Sequence, residues 1–311
     1  MDIWLLILFL GGGIAIGYFN SQRKKLKVAA GYILNIGLLI LIAIMGARIG
    51  ADEEIISNLM TMGAQSFLLA AGGIIGSLLF LQLFSFYLTA ADEVRHEEEQ
   101  YSDMVEQEGE GSLRLTLIIL IVVIIGLAAG WIMPGQVLPW LENLTQYALA
   151  VLFLGIGIDM GFRHQVFSQI RKMGWRIIMI PVFIAAGSIL GTILTGTVLG
   201  FAFREAGAVG AGFGWYSLSS VILSEIYTVE LGSMAFLTNI MREMMAILSI
   251  PLIANILSPV AAIAPCGATS MDVTLPLLKE AGGEAIVIPA FINGVILSGL
   301  VPVLVPFFIN L

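Results

Sequence analysis

An all-α polytopic membrane fold is predicted by three features of the sequence: its composition, the spacing of its apolar runs and an internal duplication. Hydrophobic residues make up 59% of the 311 and charged residues only 12%, whereas soluble domains carry about a quarter charged residues. Apolar stretches fall at 3–19, 31–50, 64–88, 114–133, 141–161, 176–200, 233–257 and 284–310, each near the ~20 residues that a helix needs to cross a bilayer. A shift of 111 residues lays Gly46 on Gly157, Gly50 on Gly161, Ser57 on Ser168, Met62 on Met173 and Gly63 on Gly174. At a shift of 113, Gly13-Ile14-Ala15-Ile16-Gly17-Tyr18 matches Gly126-Leu127-Ala128-Ala129-Gly130-Trp131. Segments one to three therefore read as repeated in segments four to six. Three is odd, so the second copy is expected to be inverted relative to the first.

The first repeat occupies 1–90. Its leading apolar run has no basic residue before it and Arg23, Lys24, Lys25 and Lys27 after it, the reverse of a secretory signal, which puts the N-terminus outside the cytoplasm. Alternating spans from there place Arg23, Lys24, Lys25, Lys27, Arg95, Arg114, Arg163, Arg171, Lys172, Arg176 and Lys279 on the cytoplasmic side, leaving only Arg48, Arg204 and Arg242 of the 14 basic residues elsewhere. That is the positive-inside pattern. Residues 91–112 form an acidic linker that carries most of the net charge of -8 and reads as a solvated cytoplasmic tether. His96 within it is a lone solvated histidine, not a metal ligand. The second repeat follows at 113–200.

The last unit, 201–311, departs from plain spanning helices in two broken elements, 207–226 and 259–280. The second holds Ala264-Pro265-Cys266-Gly267-Ala268-Thr269-Ser270-Met271-Asp272-Val273-Thr274-Leu275-Pro276, and proline removes an amide donor and clashes with the preceding turn. The first holds Gly210-Ala211-Gly212-Phe213-Gly214-Trp215-Tyr216-Ser217-Leu218-Ser219-Ser220. Irregular backbone survives at membrane depth only when buried in protein or lining a wet cavity, so the two elements are expected to face each other around a polar site. Ala235-Phe236-Leu237-Thr238-Asn239 resembles Ala290-Phe291-Ile292-Asn293, each after a broken element. Re-entrant hairpins would give eight full spans plus two hairpins; complete crossings would give ten. The C-terminus lies outside in both cases. The lone cysteine, Cys266, excludes an internal disulfide and says nothing of redox compartment.

Ionisable residues at membrane depth are costly and mark function. Asp272 leads, followed by Asp159 in Leu154-Gly155-Ile156-Gly157-Ile158-Asp159-Met160-Gly161, and by Arg242 and Glu243 in the seventh span. Asp159 is either a second proton site or a residue leaving the membrane beside Arg163. Adjacent helical residues do not share a face, so Arg242 is expected to hold a carboxylate or fix helix register while Glu243 answers a hydroxyl or a cation. Tyr216, Ser217 and Ser219 on one broken element and Thr269, Ser270 and Thr274 on the other, with Asn239 and Asn293, complete a candidate binding set. Free amides at half-helix N-termini suit a carboxylate, and nearby carboxylates suit a cation. A zwitterion with an extra positive charge fits both, although composition alone stops at a small polar solute or ion. No cofactor or metal site and no nucleic-acid partner is expected.

The motifs GFGWYSLSSVILSE (212–225), CGATSMDVTLPLL (266–278), LGIGIDMG (154–161) and NIMREMMAILSIPL (239–252) closely resemble the LysO-type bacterial lysine exporter family. The resemblance covers the C-terminal two thirds well and the first three segments more loosely. It implies export of L-lysine and its analogues across the cytoplasmic membrane of a bacterium or archaeon, coupled to protons. The family's intramembrane acidic position carries over to Asp272; a second acidic position in the N-terminal half falls in regions that hold Arg48, Asp52 and Asp159, and the implied mechanism takes Asp159 or Glu243 as the second proton or cation site. Alternating access follows, with one carboxyl group exchanging its proton for the lysine ammonium. A homodimer is compatible with an inverted-repeat transporter. The competing readings are a passive cation or amino-acid channel and an intramembrane aspartyl protease. The protease is disfavoured because neither Asp159 nor Asp272 sits in a tyrosine-aspartate or GxGD sequence.

Overall fold

The computed structural model describes residues 3–20, 24–51, 53–83, 118, 121–132, 138–162 and 175–311, and these form helices and turns only. The acidic linker and His96 lie outside the described residues. In order, the helices are α1 (Ile3–Phe19), α2 (Lys24–Gly50), α3 (Glu53–Leu83), α4 (Ile121–Ile132), α5 (Leu138–Phe162) and α6 (Met179–Val198), then α7 (Phe203–Gly210), α8 (Tyr216–Ile226), α9 (Val229–Ile256), α10 (Ile263–Cys266), α11 (Leu275–Gly282) and α12 (Val287–Ile309). Met60–Leu83, Met179–Val198, Val229–Ile256 and Val287–Ile309 are long and apolar enough to cross a membrane, and Leu8–Phe19, Ile36–Gly50, Ile121–Ile132 and Tyr147–Phe162 are shorter apolar helices. Each of these eight overlaps one of the apolar stretches of the sequence.

Glycines decide how the first six helices pack, because lipid gives helices no hydrophobic reason to associate and close backbone approach must supply the contact. A Cβ added at Gly13 would stand 2.9 Å from the Cα of Gly157, and one at Gly46 would stand 3.2 Å from the Cα of Gly126. Neither space holds a side chain. Gly17 meets Gly161, and Gly130 meets Ala47, so α1 runs parallel to α5 and α2 runs parallel to α4. Gly72 and Gly76 meet Gly191 and Gly187 in falling order, so α3 and α6 are antiparallel. The same atoms recur in the two parallel pairs. Gly13 faces the carbonyl of Leu154, the Cα of Gly157 and the amide of Ile158, while Gly126 faces the carbonyl of Ala43, the Cα of Gly46 and the amide of Ala47.

The two broken elements are short helices joined by irregular backbone. Eight residues of α7 rise only ~12 Å, far short of the ~30 Å hydrocarbon core. The turn after α7 carries Phe213 at φ 49° and Gly214 at φ 94°, and α8 then returns. Tyr227, just past α8, donates to Glu205 Oε1 near the start of α7 at 2.7 Å, and Arg204 lies 5.5 Å over the Tyr227 ring. That hydrogen bond lifts the Tyr227 phenol above its usual pKa. The ends of the element therefore come together, making it a hairpin. The second element closes likewise: a Cβ on Gly282 would stand 2.8 Å from the Cβ of Pro259. Thr228 caps α9 by accepting from the Leu231 amide at 3.1 Å, which fixes where hairpin one ends and the long helix begins.

Candidate functional site

The hairpins meet at their tips. The Ala268 amide donates to the Phe213 carbonyl at 2.8 Å, and a Cβ on Gly214 would stand 3.4 Å from the Cys266 carbonyl. Gly267, at φ 59°, faces the Phe213 carbonyl with no room for a side chain. Left-handed backbone at a crowded crossing is what glycine permits. The two irregular stretches thus face each other, as their sequences lead one to expect.

Each tip is held by an asparagine on the long helix that follows it. Asn239 Oδ1 accepts from the Gly214 amide at 2.7 Å, while its Nδ2 donates to Ser219 Oγ at 3.3 Å and to the Ala235 carbonyl at 2.9 Å. Asn293 Nδ2 donates to the Gly267 carbonyl at 2.8 Å and to Ser270 Oγ at 2.9 Å. Asn239 and Asn293 thus each contact a tip glycine and a serine hydroxyl. Asn293 is 0% exposed, and among the described residues its Oδ1 has no hydrogen-bond partner.

The charges on α9 are divided as adjacent helical positions require. Arg242, 3% exposed, donates from Nε to the Pro265 carbonyl at 3.1 Å and from Nη2 to the Ala264 carbonyl and Ser77 Oγ, each at 3.2 Å; its Nη1 donates to Ser188 Oγ at 2.5 Å. Gly73 leaves it space, since a Cβ there would stand 3.4 Å from Nη1. Of the two roles left open for Arg242, holding a carboxylate or fixing helix register, the contacts bear on the first: among the described residues its partners are carbonyls and hydroxyls. A cation at the carbonyl end of a helix complements the exposed dipoles, and here it ties hairpin two to α3, α6 and α9. Glu243, 5% exposed, has a buried Oε2 with no hydrogen-bond partner among the described residues and lies within electrostatic reach of Asp272. Asp272 is half-buried just past the second tip and accepts from the Val273 amide at 2.6 Å.

The hydroxyls serve mainly to shape the tips. Thr269 Oγ1 donates to the Cys266 carbonyl at 2.9 Å, Thr274 Oγ1 to the Thr269 carbonyl at 2.9 Å, and Ser270 Oγ to the Gly267 and Ala290 carbonyls at 2.9 and 2.8 Å. Tyr216 sets its ring edge against Phe236, with centroids 5.6 Å apart, and Ser217 is buried in the first turn of α8. Asp159 is half-buried near the end of α5, where its neighbour Met160 packs against Gly299 of α12. Among the described residues, no group of three or more His, Cys, Asp or Glu side chains could hold a metal ion.

Two features escaped the sequence reading. Ser77 and Ser188, on two ordinary apolar helices, are the hydroxyl partners of Arg242. Arg48, an exception to the charge rule, pairs with Glu225 at the end of α8. Each of the two residues lies at the end of an apolar helix, Arg48 in the last turn of α2 and Glu225 in that of α8.

A family profile described as Lysine exporter LysO matches residues 7–95 and 120–309. The chain belongs to the lysine exporter LysO family. The interval between the matched segments of this LysO-family chain takes in most of the acidic linker. It is 38% identical over 191 residues to the "Lysine exporter LysO" of Escherichia coli (strain K12), a match covering 60% of this chain and 62% of that one. It is 31% identical over 195 residues to the "Putative lysine exporter" of Haemophilus influenzae (strain ATCC 51907 / DSM 11121 / KW20 / Rd), covering 61% of this chain and 96% of that one. The chain thus spans just under two thirds of the Escherichia coli relative. LysO is by name a family of transporters and not of enzymes. No solved structure matches the chain.

Proposed function

We propose that this LysO-family protein is a secondary active transporter that exports L-lysine, and analogues with the same charges, across the bacterial cytoplasmic membrane in exchange for protons. The observation that carries the reading is the meeting of two hairpin tips beside Glu243 and Asp272, two carboxyl groups within electrostatic reach of each other. In a site of low dielectric, such a pair holds one proton or one cation between its members more readily than two bare negative charges. Lysine's side-chain ammonium and a proton then compete for the same groups, and mutual exclusion is sufficient for antiport. The substrate carboxylate is received by free amides at the start of α8, with Tyr216, Ser217 and Ser219 on one side and Thr269 and Ser270 on the other. Asn239 and Asn293 set the separation of the tips, and Asp159 is a second proton site. Arg242 stays a structural charge, because its guanidinium is already engaged.

The architecture that suits this function is an inverted pair of three-helix repeats, 1–90 and 113–200, joined by the acidic cytoplasmic linker to a transport core at 201–311. It has eight full spans, two re-entrant hairpins, and both termini outside. The contact between Glu205 and Tyr227 and that between Pro259 and Gly282 support hairpins over complete crossings. The repeated glycine contacts support the duplication. The pair directions support the inversion, since strict alternation makes α1 and α5 parallel, α2 and α4 parallel, and α3 and α6 antiparallel. With α9 spanning between them, the hairpins enter from opposite sides and meet near the middle, a geometry suited to alternating access. Assembly as a homodimer is compatible with it. The cellular test is retention of lysine in an exporter-deficient strain fed lysine dipeptides. The wild-type gene is expected to lower internal lysine, and Glu243→Gln and Asp272→Asn are expected to restore it at equal expression. Unchanged lysine with the wild-type gene would refute the substrate.

A further inference from the structure

The helices fall into two bodies, and the division cuts each repeat at the same place. α1 lies along α5, and α2 along α4 and α5. α3 lies along α6, and that pair carries the rest: α9 is tied to both through Arg242, α7 packs on α6 and α12, α10 on α3 and α9, and α12 on the second tip. The first two helices of each repeat thus build a four-helix body, and the third helix of each joins the hairpins. Glycines sit against backbone inside both bodies, and within the hairpin-bearing body buried hydrogen bonds also cross between helices, contacts that resist sliding. The boundary is different. α2 and α5 meet α8, α9 and α12 more sparingly, and Gly299 there faces the flexible end of the Met160 side chain. Across the same boundary run Arg48, in the last turn of α2, and Glu225, at the base of hairpin one.

We propose that the hairpin-bearing body moves as a unit against the four-helix body, and that the Arg48–Glu225 ion pair is the latch holding the two together in the conformation seen here. A partly buried ion pair is costly to separate unless something else receives each charge, so it favours one arrangement without welding it. Methionine packing allows the faces to re-form after a shift. Small sliding of packed helices against each other is an established route between two states. The proposal rests on the alternating-access reading above, but its test does not depend on the identity of the substrate.

The experiment is pulsed electron–electron spin-resonance distance measurement on the full chain in proteoliposomes, with Cys266→Ala as background. Labels on lipid-exposed Val151 of α5 and Leu194 of α6 report between bodies; labels on Leu194 and on lipid-exposed Leu248 of α9 report within one. Two populations are expected for the first pair and one for the second. Arg48→Gln and Glu225→Gln should each change the ratio of the two populations at least tenfold in the same direction, and the exchange Arg48→Glu with Glu225→Arg should bring it back toward wild type. If lysine leaves the ratio unmoved while the latch variants still shift it, the moving body stands and the lysine assignment loses support. A single between-body distance common to wild type and all latch variants would overturn the proposal. So would a within-body distance that changes as much as the between-body one.

Discussion

Replacing Arg242 with methionine tests whether this buried cation is a keystone or a substrate ligand. The change keeps an extended, unbranched side chain and removes four donated hydrogen bonds. The acceptors do not suffer equally. Ser77 Oγ still donates to the carbonyls of Gly73 and Ile184 at 2.8 and 3.1 Å, and Ser188 Oγ to that of Gly210 at 3.0 Å. The carbonyls of Ala264 and Pro265 lose their charged donor. At ~1–3 kcal/mol for each buried group left short of a partner, the loss is ~2–6 kcal/mol. Relief from burying a guanidinium offsets part of it, which leaves a net destabilisation of ~2–4 kcal/mol. Thermal unfolding in detergent should fall by ~4–12 °C if the shift is ~2–3 °C per kcal/mol in a chain of this size. Hydrogen exchange should rise first at 259–274, and Ser77→Ala, which leaves the guanidinium its other partners, should cost less than half as much. An Arg242→Met protein with wild-type unfolding temperature and a raised KM for lysine would refute the reasoning, because it would make Arg242 a binding group.

Two other perturbations follow from the same geometry. Gly46→Val and Gly157→Val place a side chain in matching glycine contacts of the two parallel helix pairs, against Gly126 and Gly13. Each should destabilise by ~1–3 kcal/mol, as overpacking does, and by similar amounts in thermal unfolding; Gly37→Val, with nothing within 4 Å of its Cβ position, should be nearly silent. Tyr227→Phe removes the hydrogen bond to Glu205 that closes hairpin one. It should cost ~0.5–1.5 kcal/mol, read as faster hydrogen exchange over 203–228 with exchange over 259–282 unchanged.

Much of this fold is legible in the sequence, because the forces that shape it act on local pattern. Apolar runs of spanning length locate the helices, and the shifts of 111 and 113 residues identify the glycines at which they touch. The prolines and hydroxyls of 207–226 and 259–280 mark where backbone leaves the helix. The partners of buried charges are not legible in this way. Nothing local to Ser77 or Ser188 distinguishes them from other serines in apolar helices, since their role depends on the packing of α3 and α6 against α9. Arg242 sits beside Glu243 in sequence yet turns toward hairpin two, so its bond to carbonyls rather than a carboxylate emerges only with the tertiary fold. That each broken element brings its ends together is likewise the work of residues at those ends, Glu205 with Tyr227 and Pro259 with Gly282, not of the composition between them.

The measurement that tests the central claim most directly is efflux of labelled lysine from proteoliposomes, with and without an inward proton gradient, for wild type, Glu243→Gln and Asp272→Asn. Coupled export through the paired carboxyl groups predicts gradient-driven lysine efflux by wild type and its loss in both variants, while their unfolding temperatures stay near wild type. Efflux by wild type at the same rate without a gradient would contradict it and point to a passive pathway. Full coupled efflux by both variants would remove the carboxyl pair from the mechanism.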